Sequence, residues 1–236
     1  LNGFADHKAK PFLNLDHALS GLYGGVGIGH TSDIIQTEIG FDSDKTSRDL
    51  QQINYHVVLG YERPFYWLVP GIEADLSVPV SGHPGHEFKT NSIPAAPTSG
   101  HYRFYDKREY HLLGKLGLHL TRDVRLFAML GSSRLRTEER DKIGTSSATT
   151  LDYDKTIPGR TFGVGLDLFL TNNVSLALSH KMSTYASVVR DYRSDTFTAD
   201  NNTDVTALDV VYHIGNLRDT PVLLCDDKTS FHSTAF

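Results

Sequence analysis

Residues 161–184 read TFGVGLDLFLTNNVSLALSHKMST. Phe162, Val164, Leu166, Leu168 and Leu170 fall on one parity, and Gly163, Gly165, Asp167 and Phe169 on the other. Thr171-Asn172-Asn173 interrupts the run. It then resumes with Val174, Leu176 and Leu178 against Ser175, Ala177, Ser179 and Lys181. Alternation of period two on both sides of a short Asn-rich turn is the signal of a β-hairpin. One face is unbroken Val, Leu and Phe. The other carries Gly, Ser, Asp and Lys, residues too small and too charged to pack a core. Apolar outside and polar inside is the pattern of a transmembrane β-barrel.

The same alternation recurs outward from this hairpin. Leu22, Val26 and Ile28 oppose Tyr23, Gly25, Gly27 and Gly29; Ile53, Tyr55, Val57, Leu59 and Tyr61 oppose Asn54, His56, Val58 and Gly60. Ile72, Ala74, Leu76 and Val78 oppose Glu73, Asp75 and Ser77 after a short turn at 63–66, with Pro70 expected near a rim because it cannot donate a ladder hydrogen bond. Leu112, Leu116 and Leu118 oppose His111, Lys115 and His119, and Leu126 and Leu130 oppose Arg125, Phe127 and Met129 after a turn at 121–123. A last strand sets Thr206, Leu208, Val210, Tyr212 and Ile214 against Ala207, Asp209, Val211 and His213. The expectation is eight antiparallel strands in which tight turns alternate with four long extracellular loops, two of them at 134–160 and 186–204. Residues 1–20 read as a periplasmic lead-in, 21–215 as the barrel and 216–236 as a periplasmic tail. A soluble barrel of the lipocalin kind would carry the two faces the other way round.

Composition narrows the alternatives. No apolar run reaches the ~20 residues of a membrane helix. A net charge of -5 argues against a nucleic-acid binder. The single cysteine, Cys225, leaves no intrachain disulfide and no thiolate zinc site. The chain is headed by Leu1, which fits a signal peptide already removed. The glycines of 21–29 lack the following helix that a dinucleotide loop requires, and glycines on the inner wall of a narrow barrel give bulky neighbours room. No cofactor is expected.

The sequence resembles the small outer-membrane β-barrels of the opacity-protein and outer-membrane-protein-A-like porin family. The likeness is carried by Gly21–Gly29, by Gly71-Ile72-Glu73-Ala74-Asp75-Leu76-Ser77, and by Gly163-Val164-Gly165-Leu166-Asp167 with Leu170-Thr171-Asn172-Asn173-Val174-Ser175-Leu176. It implies residence in the bacterial outer membrane, among lipid and lipopolysaccharide, and a structural, surface-assembly or adhesive role through the loops. The partner is then a second copy or another surface protein. Members of the family commonly end on an aromatic residue that closes the last strand; here the chain continues past Ile214 to Phe236.

The inward parity collects Glu73, Asp75, Lys115, Arg125, Asp167, Lys181 and Asp209. Charges buried together must pair, so the expected arrangement is a salt-bridged plug, with a proton or ion pathway as the competing reading. His180 shares the parity of Leu178 and is expected to face lipid or a partner. An outward His beside an outward Ser would suit a deacylase of lipid A. At the required spacing of two, however, this strand offers Met182. His83, His86, Glu87 and His101 form a weaker cluster that could hold a metal. Tyr102, Phe104, Tyr105 and Tyr110 suit an interfacial aromatic girdle.

Overall fold

The computed structural model describes residues 21–39, 44–65, 67–80, 86–90, 100–143, 150–192 and 195–214. Ten strands follow one another: β1 (Leu22–Ile39), β2 (Asp44–Glu62), β3 (Leu68–Pro79), β4 (His86–Thr90), β5 (Gly100–His119), β6 (Val124–Ile143), β7 (Thr150–Phe169), β8 (Val174–Tyr185), β9 (Val188–Tyr192) and β10 (Asp195–His213). Eight of them form a closed antiparallel wall in the order β1-β2-β3-β5-β6-β7-β8-β10, with β10 returning to β1. β4 extends the sheet beside β5, and β9 beside β10.

Closure and tilt can be read from the pairing. Pro70 faces Leu116, which faces Ala128, then Val164, His180, Thr206, His30 and Ile53, whose carbonyl accepts from Val80 N. One circuit of the wall therefore advances from residue 70 to residue 80 of β3, a stagger of 80 − 70 = 10 positions. Ten residues of stagger over eight strands correspond to a tilt of roughly 40°. Each residue then climbs about 2.5 Å along the barrel axis.

The two faces are those the alternation indicates. Val26, Ile28, Leu59, Ile72, Leu112, Leu130, Phe162, Leu178 and Val210 are between 45% and 68% exposed on the outer wall. A continuous apolar belt of this extent has no place in water and is the lipid-facing surface of a spanning barrel. The lipocalin arrangement is thereby overturned. Tyr61, Phe65, Trp67 and Tyr212 stand near the end with the short turns, and Tyr55 and Tyr110 near the other, as interfacial girdles. Pro70 sits by the short-turn rim, where its carbonyl accepts from Arg63 N.

Glycine makes room inside. A Cβ on Gly165 would enter the Phe127 ring, and one on Gly60 the ring of Tyr23. Among the described residues, small apolar clusters are also buried, one of them Leu113, Phe127 and Met129.

The strands are longer than the alternation suggested. Residues 134–143 and 150–160, expected within a loop, continue β6 and β7, and 188–192 and 195–204 belong to β9 and β10. β7 has 20 residues, roughly 50 Å of axial height at this tilt, whereas the apolar band of a bilayer takes only about 25 Å. About half of the long strands therefore stands outside the membrane.

There the wall opens at two seams. β2 pairs with β3 up to Val80, and among the described residues no pairing joins its upper part to β4. β7 pairs with β8 up to Pro158 and Ala186, and among the described residues β9 continues beside β10 alone. Above the barrel, then, the chain forms two open sheets, β2-β1-β10-β9 and β4-β5-β6-β7. The segments 1–20 and 216–236, with Cys225 and the expected tail contacts, lie outside the described residues.

Candidate functional site

The lumen is layered by charge. Nearest the short turns, Arg125 on β6 is completely buried. Its Nε and Nη2 donate to Asp167 Oδ2 at 2.8 and 2.6 Å, and its Nη1 donates to Glu62 Oε1 at 2.8 Å. The guanidinium also lies over the Phe169 ring, 5.2 Å from its centroid. His213 stands at the same level, its Nδ1 3.3 Å from Glu62 Oε1 and its Nε2 2.9 Å from Ser175 Oγ.

A second layer joins Lys115 Nζ to Glu73 Oε2 at 3.1 Å, with the Tyr23 hydroxyl donating to the same oxygen at 2.7 Å. Lys115 Nζ rests over the Phe127 ring at 4.1 Å, so its stem and head are held by aromatic carbon as well as by charge.

The third layer is the most extended. Lys181 Nζ donates to Asp75 Oδ2 at 2.6 Å and lies 2.9 Å from His56 Nε2. An ammonium has only donors, so His56 Nε2 must accept and its proton sits on Nδ1, which donates to Asp209 Oδ1 at 2.8 Å. His111 has carboxylates at both nitrogens, Asp75 Oδ1 at 2.5 Å and Glu109 Oε1 at 3.1 Å. Two acceptors require two N–H groups, so this geometry fits an imidazolium. Glu109 further accepts from Tyr185 and, at 2.8 Å, from Thr203.

Each of the seven inward charges is thus buried and placed in this network: Glu73 with Lys115, Asp75 with Lys181, Asp167 with Arg125, and Asp209 with His56 rather than with a lysine or arginine. The expected charge network left out Glu62 and Glu109, and it also left out His56, His111 and His213, although these three stood on the inward parity. Parity alone would have included the two acids, since Glu62 continues the inward series of Asn54 and His56, and Glu109 precedes His111 by two. At the top of the network, a shallow depression opens at the upper mouth, lined in part by Asp33, Asn54, Ser77 and Glu109. Below Glu109 the lumen is lined by side chains that are at most 6% exposed, as in a barrel of eight strands whose interior is filled by its own side chains.

The outer wall carries a polar interruption. On β8 the outward series is Val174, Leu176, Leu178, His180, Met182 and Thr184, so His180 stands in the upper half of the apolar belt. Its outward neighbours on the strand, Leu178 and Met182, carry no hydroxyl, but β10 supplies one. Thr206 is its register partner, and Thr206 Oγ1 lies 3.0 Å from His180 Nδ1. His30 flanks Thr206 from the other side. The pair satisfies polar groups that would be costly alone in hydrocarbon.

The side chains of His83, His86, Glu87 and His101 lie outside the described ones, as do those of Tyr102, Phe104 and Tyr105; among the described residues no group of three or more His, Cys, Asp or Glu could hold a metal.

No family model matches the chain, and no curated protein matches it either. Solved structures similar to it include Ail, the attachment invasion locus protein of Yersinia pestis, in complex with the heparin analogue sucrose octasulfate. That protein is 12% identical over 80% of this chain and 99% of its own, with a TM-score of 0.40. Neisserial surface protein A is 11% identical over 82% and 97%, with a TM-score of 0.41. The outer membrane protein OprG of Pseudomonas aeruginosa is 13% identical over 82% and 95%, with a TM-score of 0.48. These likenesses are to the fold. The chain's own wall, apolar without and charged within, makes it an eight-stranded barrel of the bacterial outer membrane.

Proposed function

We propose that this barrel is a sealed anchor that carries two open β sheets above the membrane for binding a partner at the cell surface, a structural, assembly or adhesive role without catalysis. The observation that carries the reading is the splitting of the wall at Val80 and at Ala186. An unpaired strand edge offers a row of backbone donors and acceptors, and an extended segment of another chain can add to it as a further strand. The partner is an extended peptide segment, of a second copy or of another surface protein. Transport is the weaker alternative, because the lumen between Glu109 and Arg125 is occupied by ion pairs.

The test is a shortened chain. Removing 35–50 from the β1–β2 hairpin and 138–154 from the β6–β7 hairpin leaves the barrel-forming parts in place. Cells displaying the full chain are expected to gain adherence or mutual clumping, and cells displaying the shortened chain to lose it while the barrel still runs as a folded band in unheated gels. Adherence unchanged by the shortening would refute the reading.

One observation favours a second reading, an enzyme acting on lipid A at the outer wall: the His180–Thr206 hydrogen bond puts a hydroxyl beside an imidazole in the belt. Hydroxyl activation normally adds a third group that orients the imidazole, and among the described hydrogen bonds His180 has only the threonine. Release of acyl chains from lipid A, abolished in His180→Ala, would favour this second reading.

A further inference from the structure

We infer that the outer wall of β6 and β7 is a binding site for the phosphate groups of a phosphorylated glycolipid of the outer leaflet, with Arg134 and Arg160 as its principal cations and Arg136 beside them. The inference is independent of what the open sheets bind.

Going up β6, the outward residues are Leu126, Ala128, Leu130, Ser132, Arg134 and Arg136; going up β7 they are Leu168, Leu166, Val164, Phe162 and Arg160. The apolar series thus ends at Leu130 and Phe162, which face one another in register, and the arginines begin at once above them. Arg160 is opposite Ser132, two residues from Arg134, which makes the two arginines diagonal neighbours on one face. Such neighbours stand about 7–8 Å apart, close enough to clasp one phosphate-bearing head. Arg136 follows Arg134 on that face, with Arg108 opposite it in the register of β5.

Position and sign both matter. The level just above the hydrocarbon edge is where anionic head groups lie, and a guanidinium there meets a phosphate with two parallel donors. Like charges set side by side on a sheet repel; an anion between them removes that cost. The basic sector is also one-sided. At the same level β8, β10, β1 and β2 present Thr184, Asp204, His30 and Ile53, so the arginines are not a uniform solubilising ring. Among the described side chains no carboxylate shares the outer face of this sector. Tyr110, opposite Arg134 and 38% exposed, gives the sector an aromatic floor against which a sugar or the root of an acyl chain can rest.

The experiment uses full-length protein folded in mixed micelles and three probes: bisphosphorylated lipid A, the same lipid with its phosphates removed, and excess inorganic phosphate. Binding is expected for the first probe and not for the second. Inorganic phosphate is expected neither to bind measurably nor to displace the lipid. The double variant Arg134→Gln/Arg160→Gln should bind bisphosphorylated lipid A about 30-fold more weakly, both surface charges contributing. Thr184→Gln, at the same height outside the sector, should bind as the wild type does. A folded band in unheated gels confirms that the double variant has kept its barrel. Equal affinity of the double variant, or equal binding of the dephosphorylated lipid, would overturn the proposal. So would tighter retention of a sulfated polysaccharide by the same two arginines, which would make the site one for a soluble polyanion.

Discussion

Thr206 Oγ1 and His180 Nδ1 lie 3.0 Å apart on adjacent strands of the lipid-facing wall, 26 residues apart in the chain. The contact turns what looks in sequence like an isolated histidine in hydrocarbon into a self-satisfied pair. Its consequence is an asymmetry between two substitutions. Thr206→Val strands the imidazole and is expected to lower stability by about 1–3 kcal/mol. The double change Thr206→Val/His180→Leu removes both partners and is expected to recover most of that loss. Urea unfolding in detergent or bilayers measures both; equal losses in the two variants would show that the hydrogen bond contributes nothing.

The same pair bears on catalysis. On the reading proposed above, purified protein releases no hydroxy-acyl chains from lipid A in detergent or in bilayers. Mass spectrometry of the lipid after prolonged incubation checks this, with His180→Ala as the control that identifies a real activity if product appears.

Arg125 holds two buried carboxylates, Glu62 and Asp167, through three hydrogen bonds. Arg125→Met leaves both uncompensated, and breaking such a pair typically costs about 3–5 kcal/mol. Adding Glu62→Gln and Asp167→Asn should restore part of the loss. The temperature at which the folded band converts to the unfolded one in gels reads out both variants.

Sealing is tested separately from stability. Planar bilayers containing the wild type are expected to carry no stepwise ion current, and Arg125→Met is expected to stay closed, because the Lys115–Glu73 and Lys181–Asp75 layers lie above it. Discrete current steps in the wild type would instead favour the channel.

Gly165 is required by volume. Its missing Cβ is the space occupied by the Phe127 ring, so Gly165→Val should destabilise the barrel by about 1–3 kcal/mol. Phe127→Ala in the same chain should reverse part of the effect, a coupling that a double-mutant cycle measures.

The closed barrel and its inside-out polarity were legible in the sequence, because a strand puts successive side chains on opposite faces whatever it pairs with. That rule assigned Asp167 and Lys181 inward and His180 outward from residues 161–184 alone. The strand extents were not legible: 134–143 and 150–160 have the polar composition of a loop, and their pairing outside the membrane comes from being carried up in register by the strands beneath.

Parity is local; partnership is not. Which acid meets which base depends on the ten-residue stagger of the closed wall, which no single strand encodes. The stagger brings His56 of β2 to Asp209 of β10 and to Lys181 of β8, 153 and 125 residues away. It also sets Thr206 against His180 and Arg160 beside Arg134 on the outside. Sequence therefore determined the face of each side chain, through the period of the strand. Only the tertiary structure decided its neighbours, because these are set by closure of the sheet and by the space that residues such as Gly165 leave open.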